Sequence, residues 1–555
     1  MDADAIVVGA GLAGLVAAGE LIAAGRKVAI VDQESAANLG GQAWWSFGGL
    51  FFVDSPEQRR MGIKDSVELA WQDWQGSAAF DRLDDEDSWA ARWARAYVEF
   101  AAGEKRSWLK ERGMGWLAVV GWAERGDGRA EGHGNSVPRF HITWGTGTGV
   151  VKPFVDAALA AMETGQVKLY ERHRVDELIR EGGAVTGVRG RTLLQDNAIR
   201  GAESSREEVD DFALTAQAVI VTSGGIGGNH ELVRKWWPER LGTPPRQMIT
   251  GVPAYVDGRM IEITERVGAR TVNRDRMWHY VEGVRNWDPV WPQHAIRILP
   301  GPSPMWFDAL GRRLPYPFLP GFDTLGTLRH LRTTPDLAAY DHSWFIVTQK
   351  IIEKEFGLSG SEQNPDITNK DFRLLAERVR KGAPGPVEAF KQRGADFVVA
   401  QTLSELVDKM NGLTDEPLLN VADIERQVVA RDREVANKFT KDAQLTAVRG
   451  ARSYRGDRMI RVAKPHEILD PAAGPLIGVK LHVLTRKSLG GLQTDLSSRV
   501  LDASGEPIDG LYAAGEAAGF GGGGVHGYNS LEGTFLGGCI FSGRAAGRAV
   551  AEQAG

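Results

Sequence analysis

The first 32 residues hold a strand, a glycine turn, a helix, a second strand and an acid, and few folds accommodate that order. Ala5-Ile6-Val7-Val8 is a short apolar strand, and Gly9-Ala10-Gly11-Leu12-Ala13-Gly14 follows it directly. Leu15, Val16, Leu21 and Ile22 recur at helical spacing until Gly25, and Val28 to Val31 forms a second strand that ends at Asp32. Gly9 permits the tight turn, Gly11 lets the backbone approach a pyrophosphate, and Gly14 lets the helix pack closely on the strand. The helix that opens at Leu12 and Ala13 turns free N–H groups and a positive dipole end toward phosphate. Asp32, with Gln33 beside it, is placed to meet the adenosine ribose hydroxyls. A dinucleotide site follows from this order, although the unit alone does not separate FAD from NAD.

Length and composition narrow the rest. A chain of 555 residues exceeds one ordinary core and implies two or three compact units. The net charge is −6 and no long Lys/Arg block occurs, which argues against nucleic acid as a partner. Cys539 is the only cysteine, so a disulfide, a CxxC pair, a thiolate zinc site and an iron–sulfur ligand set are all excluded. Any further electron carrier must therefore come from outside. The chain runs straight into its first strand and holds no apolar run of about 18 residues, so neither a secretory signal nor a bilayer span is expected. A cytoplasmic protein is the expectation. Seventeen tryptophans, none after Trp344, are read mostly as core residues, with a minority available to wall an apolar pocket.

Three further segments carry a resemblance. Gly40-Gly41-Gln42-Ala43-Trp44-Trp45-Ser46-Phe47-Gly48-Gly49 follows the second strand. The apolar run Ala218–Val221 leads into Thr222-Ser223-Gly224-Gly225-Ile226-Gly227-Gly228-Asn229, and Gly510-Leu511-Tyr512-Ala513-Ala514-Gly515-Glu516 lies near the C-terminus. Together with the fingerprint, these resemble the fumarate reductase/3-ketosteroid Δ1-dehydrogenase family of FAD enzymes. The resemblance implies an α/β fold: a split Rossmann-type FAD-binding domain, residues 1–276 and 470–555, with an inserted α+β substrate-capping domain, residues 277–469. It also implies FAD contacts at Gly40, Gly41, Gln42, Ser46, Gly48, Gly49, Val175, Thr222, Ser223, Gly224, Gly515, Glu516, Ser530 and Leu531. Family members with covalent flavin carry a histidine in the first glycine segment. Gln42 stands there and cannot alkylate, so non-covalent FAD is expected. An apolar helix beginning near Cys539 would direct its N-terminus at the flavin pyrimidine edge. In the middle, residues 284–340 are rich in Pro, Trp and Arg with little periodicity, and residues 371–411 look helical and charged.

The reaction must be read from Gly524-Val525-His526-Gly527-Tyr528-Asn529-Ser530-Leu531-Glu532-Gly533-Thr534. This run resembles the fumarate reductase motif, except that Ser530 replaces the arginine that grips a substrate carboxylate. Serine cannot form that bidentate, charge-assisted pair. Before Leu489-Gly490-Gly491, the fumarate reductase histidine is replaced by Arg486-Lys487-Ser488, whose cations could still hold an anion. Dicarboxylate reduction is thus disfavoured. Desaturation beside a ketone requires a base for the α-proton, donors for the enolate oxygen and an acceptor for the β-hydride. The ketosteroid resemblance points to Tyr528 and Gly533 as ketone ligands, with Asn529 as the alternative to Tyr528. For the base it points to Tyr316, after Gly311-Arg312-Arg313, or to Tyr280 beside His279. Tyrosine is a weak base at its ordinary pKa of about 10, so cationic neighbours are needed. His526 is assigned a binding role only, and His141 is a weaker candidate.

Three readings follow. The first is FAD-dependent 1,2-desaturation of 3-ketosteroids or similar apolar polycyclic ketones, with a quinone or other external carrier taking the electrons. The second is a reductase of α,β-unsaturated acids or carbonyls that uses Arg486 or Lys487 for one carboxylate. The third, a flavin-binding subunit without activity, is disfavoured by the polar groups among the flavin-edge glycines.

Overall fold

The computed structural model describes residues 1–377 and 382–553. Its cofactor layer is a six-stranded sheet in the order Arg499–Leu501, Pro507–Ala513, Ala218–Val221, Ala5–Val8, Val28–Val31, Val167–Tyr170. Every neighbour pair is parallel except the first. Ala5–Val8, Val28–Val31 and Ala218–Val221 are uninterrupted apolar runs because both faces of this parallel sheet are covered, one by helices and the other by a small antiparallel sheet, and all their residues are buried. Helix Leu12–Ala23 lies on one face beside the C-terminal helix Thr534–Gln553, which begins five residues before the expected Cys539. The two backbones come close because Gly543 has no side chain; a Cβ there would sit 2.4 Å from the Ala13 carbonyl oxygen. An antiparallel meander, His173–Glu181, Ala184–Leu193 and Glu208–Thr215, flanks this layer.

The second layer is an eight-stranded sheet. Its main path runs Met305–Phe307, His342–Thr348, Leu476–Ser488, Met277–Arg285, Ala295–Leu299, Gly357–Leu358. Leu476–Ser488 is its spine and also pairs with Ile249–Thr250 and Phe397–Ala400. By pairing, this strand belongs to the second sheet although it lies beyond residue 469. The stretch 284–340, irregular by sequence, contains two of these strands and helix Thr324–Thr333. The stretch 371–411 holds helices Phe372–Glu377, Gly385–Arg393 and Leu403–Asn411, with strand Phe397–Ala400 among them; residues 378–381 lie outside the described ones. No helix among the described residues is long and apolar enough to cross a membrane.

Candidate active site

One elongated cavity, with about 1780 Å³ of empty space including its open mouth, runs from the fingerprint turn to the second sheet. Gly9, Gly11, Leu12, Ala13, Asp32 and Gln33 line its start, and Val175 closes it from the meander. Asp32 is pinned by two backbone N–H donors, Ala10 at 2.7 Å and Glu34 at 2.8 Å. Burial raises its carboxyl to about 6, against the pull of those two donors. Helix Leu12–Ala23 has no side-chain cap at Gly11, so its first N–H groups are free toward the cavity. A Cβ on Gly11 would meet nothing nearer than the Thr222 carbonyl oxygen at 4.0 Å and would occupy the space offered to a ligand. Gly14 does not face the cavity, and a Cβ there would lie 2.1 Å from the Gly9 carbonyl oxygen. This cradle fits a pyrophosphate.

The middle of the cavity is walled by Gly41, Gln42, Ser46, Gly48, Gly49, Thr222, Ser223, Gly224, Gly515 and Glu516. Gly40 sits behind it, against Val151. Gln42 Nε2 donates to Glu516 Oε2 at 2.6 Å, and the Ser488 N–H donates to Glu516 Oε1 at 2.9 Å. Burial raises the Glu516 carboxyl despite nearby Lys487. Gly533, Phe535, Leu536 and Cys539 bring the start of the C-terminal helix to the same wall. The length of the cavity, with an acid at one end and a helix terminus at the other, fits FAD.

The far end is lined by Tyr280, Arg297, Leu299, Leu484, Arg486, Lys487, Glu532 and Phe535. Tyr280 stands between two register shifts in the pairing of Met277–Arg285 with Leu476–Ser488, an irregularity of the kind that re-aims a side chain. Its hydroxyl donates to Glu532 Oε1 at 2.9 Å and lies 3.4 Å from Lys487 Nζ. Arg297 donates to the same carboxylate oxygen at 2.7 Å, and its guanidinium stacks 3.8 Å from the Tyr280 ring centre. Burial pushes the Tyr280 hydroxyl well above its ordinary pKa, and Glu532 adds to the effect. Burial also pushes the Lys487 amine down to about 7, assisted by Arg486 and opposed by Glu532. Glu532 opposes its own burial through Arg297 and Lys487, and its carboxyl lies below the usual range. Among the described residues, no carboxylate oxygen lies within 4.0 Å of the Lys487 amine or the Arg486 guanidinium.

Several residues expected at the site are elsewhere. Tyr316 does not line the cavity and is 51% exposed. The arginines meant to activate it are neutralised, Arg312 by Asp308 and Asp336, and Arg313 by Asp442. Tyr528 also lies outside the cavity. Its hydroxyl donates to Asp81 at 3.0 Å, and Arg240 and Arg276 stack on its ring. Asn529 donates to the Ser77 carbonyl at 3.1 Å. His526 is buried behind Phe535, with Nε2 2.9 Å from Thr534 Oγ1 and its ring stacked on Trp74. Burial pushes its imidazole down to about 3. Ser530 bonds Thr534 at 3.0 Å, and neither it nor Leu531 lines the cavity. His141 is buried against Ser55, with Oγ to Nε2 at 2.7 Å. Arg297 and Glu532 escaped the sequence reading. The signal for Arg297 was an arginine inside the apolar run Ala-Ile-Arg-Ile-Leu, which needs a buried partner.

The chain matches the FAD binding domain family over residues 4–536. It is 62% identical over 554 residues to the KsdD-like steroid dehydrogenase MT0809 of Mycobacterium tuberculosis (strain CDC 1551 / Oshkosh), covering 100% of this chain and 96% of the relative. It is 64% identical over 535 residues to the KsdD-like steroid dehydrogenase of Mycolicibacterium smegmatis, covering 96% of each chain. The solved 3-ketosteroid delta1-dehydrogenase from Sterolibacterium denitrificans, in complex with 1,4-androstadiene-3,17-dione, superposes with a TM-score of 0.65 at 16% identity, covering 99% of each chain, which bears on the fold alone. A fingerprint cradle, a cavity long enough for FAD and near-full-length identity above 60% agree: the chain is an FAD-dependent dehydrogenase that belongs to the FAD binding domain family and, within it, to the KsdD-like steroid dehydrogenases.

Proposed function

We propose that this protein desaturates a carbon–carbon bond beside a ketone, with 3-ketosteroids or similar polycyclic ketones as substrates and 1,2-desaturation as the reaction. The observation that carries this reading is the placement of Tyr280. Its hydroxyl faces the cavity between an anion, Glu532, and an amine, Lys487, among the apolar walls Leu299, Leu484 and Phe535. The steroid names of the 62–64% identical relatives support the substrate class.

FAD, held by Gly9, Gly11, Asp32, Gln42 and Glu516, would supply the two-electron acceptor that takes the β-hydride, with an external carrier such as a quinone as the final electron acceptor. The Gln42 amide bonds Glu516, which favours non-covalent attachment. Gly533 binds the ketone through its N–H, since its carbonyl accepts from the Phe51 N–H at 3.0 Å. The α-carbon's proton passes to the Tyr280 oxygen as the hydroxyl, turned from Glu532, gives its own proton to the neutral Lys487 amine. The electron pair of the α C–H bond forms the double bond, and the β-hydrogen leaves as hydride. Burial lowers the Lys487 pKa, which makes the neutral amine available near neutral pH. His526 would act on this wall only from behind, through Phe535, and Tyr528, Asn529 and Tyr316 do not take part.

A second reading keeps one observation on its side. Arg486 lines the cavity with no carboxylate oxygen within 4.0 Å of its guanidinium among the described residues, an arrangement suited to a substrate carboxylate and to reduction of an unsaturated acid. Anaerobic titration of the yellow protein with a 3-keto-4-ene steroid separates the two. Bleaching of the flavin band with formation of a 1,4-diene is expected. An unbleached flavin that dithionite reduces and unsaturated acids reoxidise would replace the first reading with the second.

A further inference from the structure

Glu124 and His133 belong to the loop that precedes strand Phe140–Ile142, and Asp323 is the residue before helix Thr324–Thr333 of the second layer. Glu124 is 3% exposed and His133 is 6% exposed. One side of each group is already committed. Glu124 Oε1 accepts the Thr324 N–H at 2.5 Å, and His133 Nδ1 lies 3.1 Å from Ser77 Oγ. The remaining atoms, Glu124 Oε2 and His133 Nε2, are buried, lack hydrogen-bond partners and face each other across 3.8 Å. That gap is too long for a hydrogen bond. Asp323 caps its helix through the Gly326 N–H at 2.7 Å, and one of its carboxylate oxygens completes a triangle in which all three donor atoms lie within 4.8 Å of one another.

We propose that Glu124, His133 and Asp323 bind a divalent transition-metal cation, Zn²⁺ or one of similar size, that fastens the 121–135 loop to the second layer. Two carboxylates and one imidazole form a donor set for such an ion, and three protein ligands leave a fourth position for water. Tetrahedral bonds of about 2.1 Å place neighbouring donors roughly 3.4 Å apart, so the 3.8 Å gap between Glu124 and His133 needs a few tenths of an ångström of closure. The Asp323 carboxylate, within 4.8 Å of both, closes by at most about 1.4 Å through side-chain rotation. The Ser77 contact fixes the imidazole so that Nε2 points inward, as outer partners of metal-bound histidines do. The Trp278 indole, in a T-shaped contact with its ring centre 5.8 Å from that of His133, supports that orientation. None of the three residues lines the cofactor cavity, although the neighbouring Ala123 does. The ion therefore serves as a clamp beside the site and takes no part in the chemistry.

The test uses FAD-loaded protein stripped with a chelator and titrated with ZnCl₂ by calorimetry. One equivalent is expected to bind with a raised melting midpoint and an unchanged flavin spectrum. His133→Gln and Asp323→Asn should each weaken binding at least tenfold; asparagine keeps the helix cap, and the flavin spectrum verifies folding. Anomalous scattering at the zinc edge from wild-type crystals should place one peak among the three side chains, which covers the case of a variant that fails to fold. Absence of stoichiometric binding by the wild type, equal binding by the variants, or a peak elsewhere would overturn the proposal.

Discussion

Tyr280 works against its surroundings. Burial and the Glu532 carboxylate both oppose the phenolate, so a relay into a neighbouring amine is needed to make the oxygen a base. Tyr280→Phe should therefore lower the rate of flavin reduction by ketone about 10²- to 10⁴-fold while leaving flavin content unchanged, as measured by anaerobic stopped flow. The pH dependence follows from Lys487, whose amine loses its proton near 7. Below that value the cation cannot accept a proton, so the rate should rise about tenfold between pH 6 and pH 8. Lys487→Met should flatten this rise, and a profile unaltered by that change would remove the amine from the relay. At this scale sequence was a partial guide. Tyr280 was nameable as a second candidate with His279 beside it, yet nothing local reports the register shifts that aim it. Glu532 lay inside the motif but carried no assigned role, and its partner Arg297 is 235 residues away. Gly311-Arg312-Arg313 drew attention to Tyr316, but Asp308 four residues upstream, with Asp336 and Asp442 from further along the chain, already pairs with those arginines.

The fingerprint unit was legible because every constraint in it lies within 32 residues: period, turn glycines, helix and acid. Its glycines nevertheless do different work, and the structure separates them. At Gly11, φ is −74° and the space beside it is open toward the cavity. Gly11→Ala should fold with a near wild-type melting point as apoprotein and lose most of its bound flavin. At Gly14 the added carbon meets backbone at 2.1 Å and the helix must lift from its strand. Gly14→Ala should lower the melting midpoint of the apoprotein itself, by an amount typical of overpacking, about 1–3 kcal/mol. Melting curves of the flavin-free variants check the distinction. The strand Leu476–Ser488 was the element sequence could not assign. Its apolar alternation announces a strand, but its partners come from residues 249 to 400, and only pairing reveals the sheet it joins.

For the molecule as a whole, the split cofactor domain and an inserted layer were expected from the family resemblance, while the spine of the second layer was not. Met277–Arg285, His342–Thr348 and Phe397–Ala400 all lean on a strand that begins at residue 476. We propose that the chain returns to the cofactor layer after Ser488. A fragment of residues 277–469 contains the whole expected capping segment but lacks this strand, and it should show no cooperative unfolding by calorimetry. Cooperative melting of that fragment would restore the boundary at 469.

The edge-to-centre order of the cofactor sheet also has a consequence for how the protein comes into being. Ala218–Val221 is complete early in synthesis, but its neighbour Pro507–Ala513 appears 292 residues later. At the usual pace of 5–20 residues per second, an apolar strand waits on the order of 15–60 s for its partner. Helix Leu12–Ala23 waits longer still for helix Thr534–Gln553. Although the other edge of Ala218–Val221 can pair with Ala5–Val8, the nascent chain therefore carries one open strand edge and an uncovered helix face through half of its translation, and its yield in a cell depends on what shelters them during that interval.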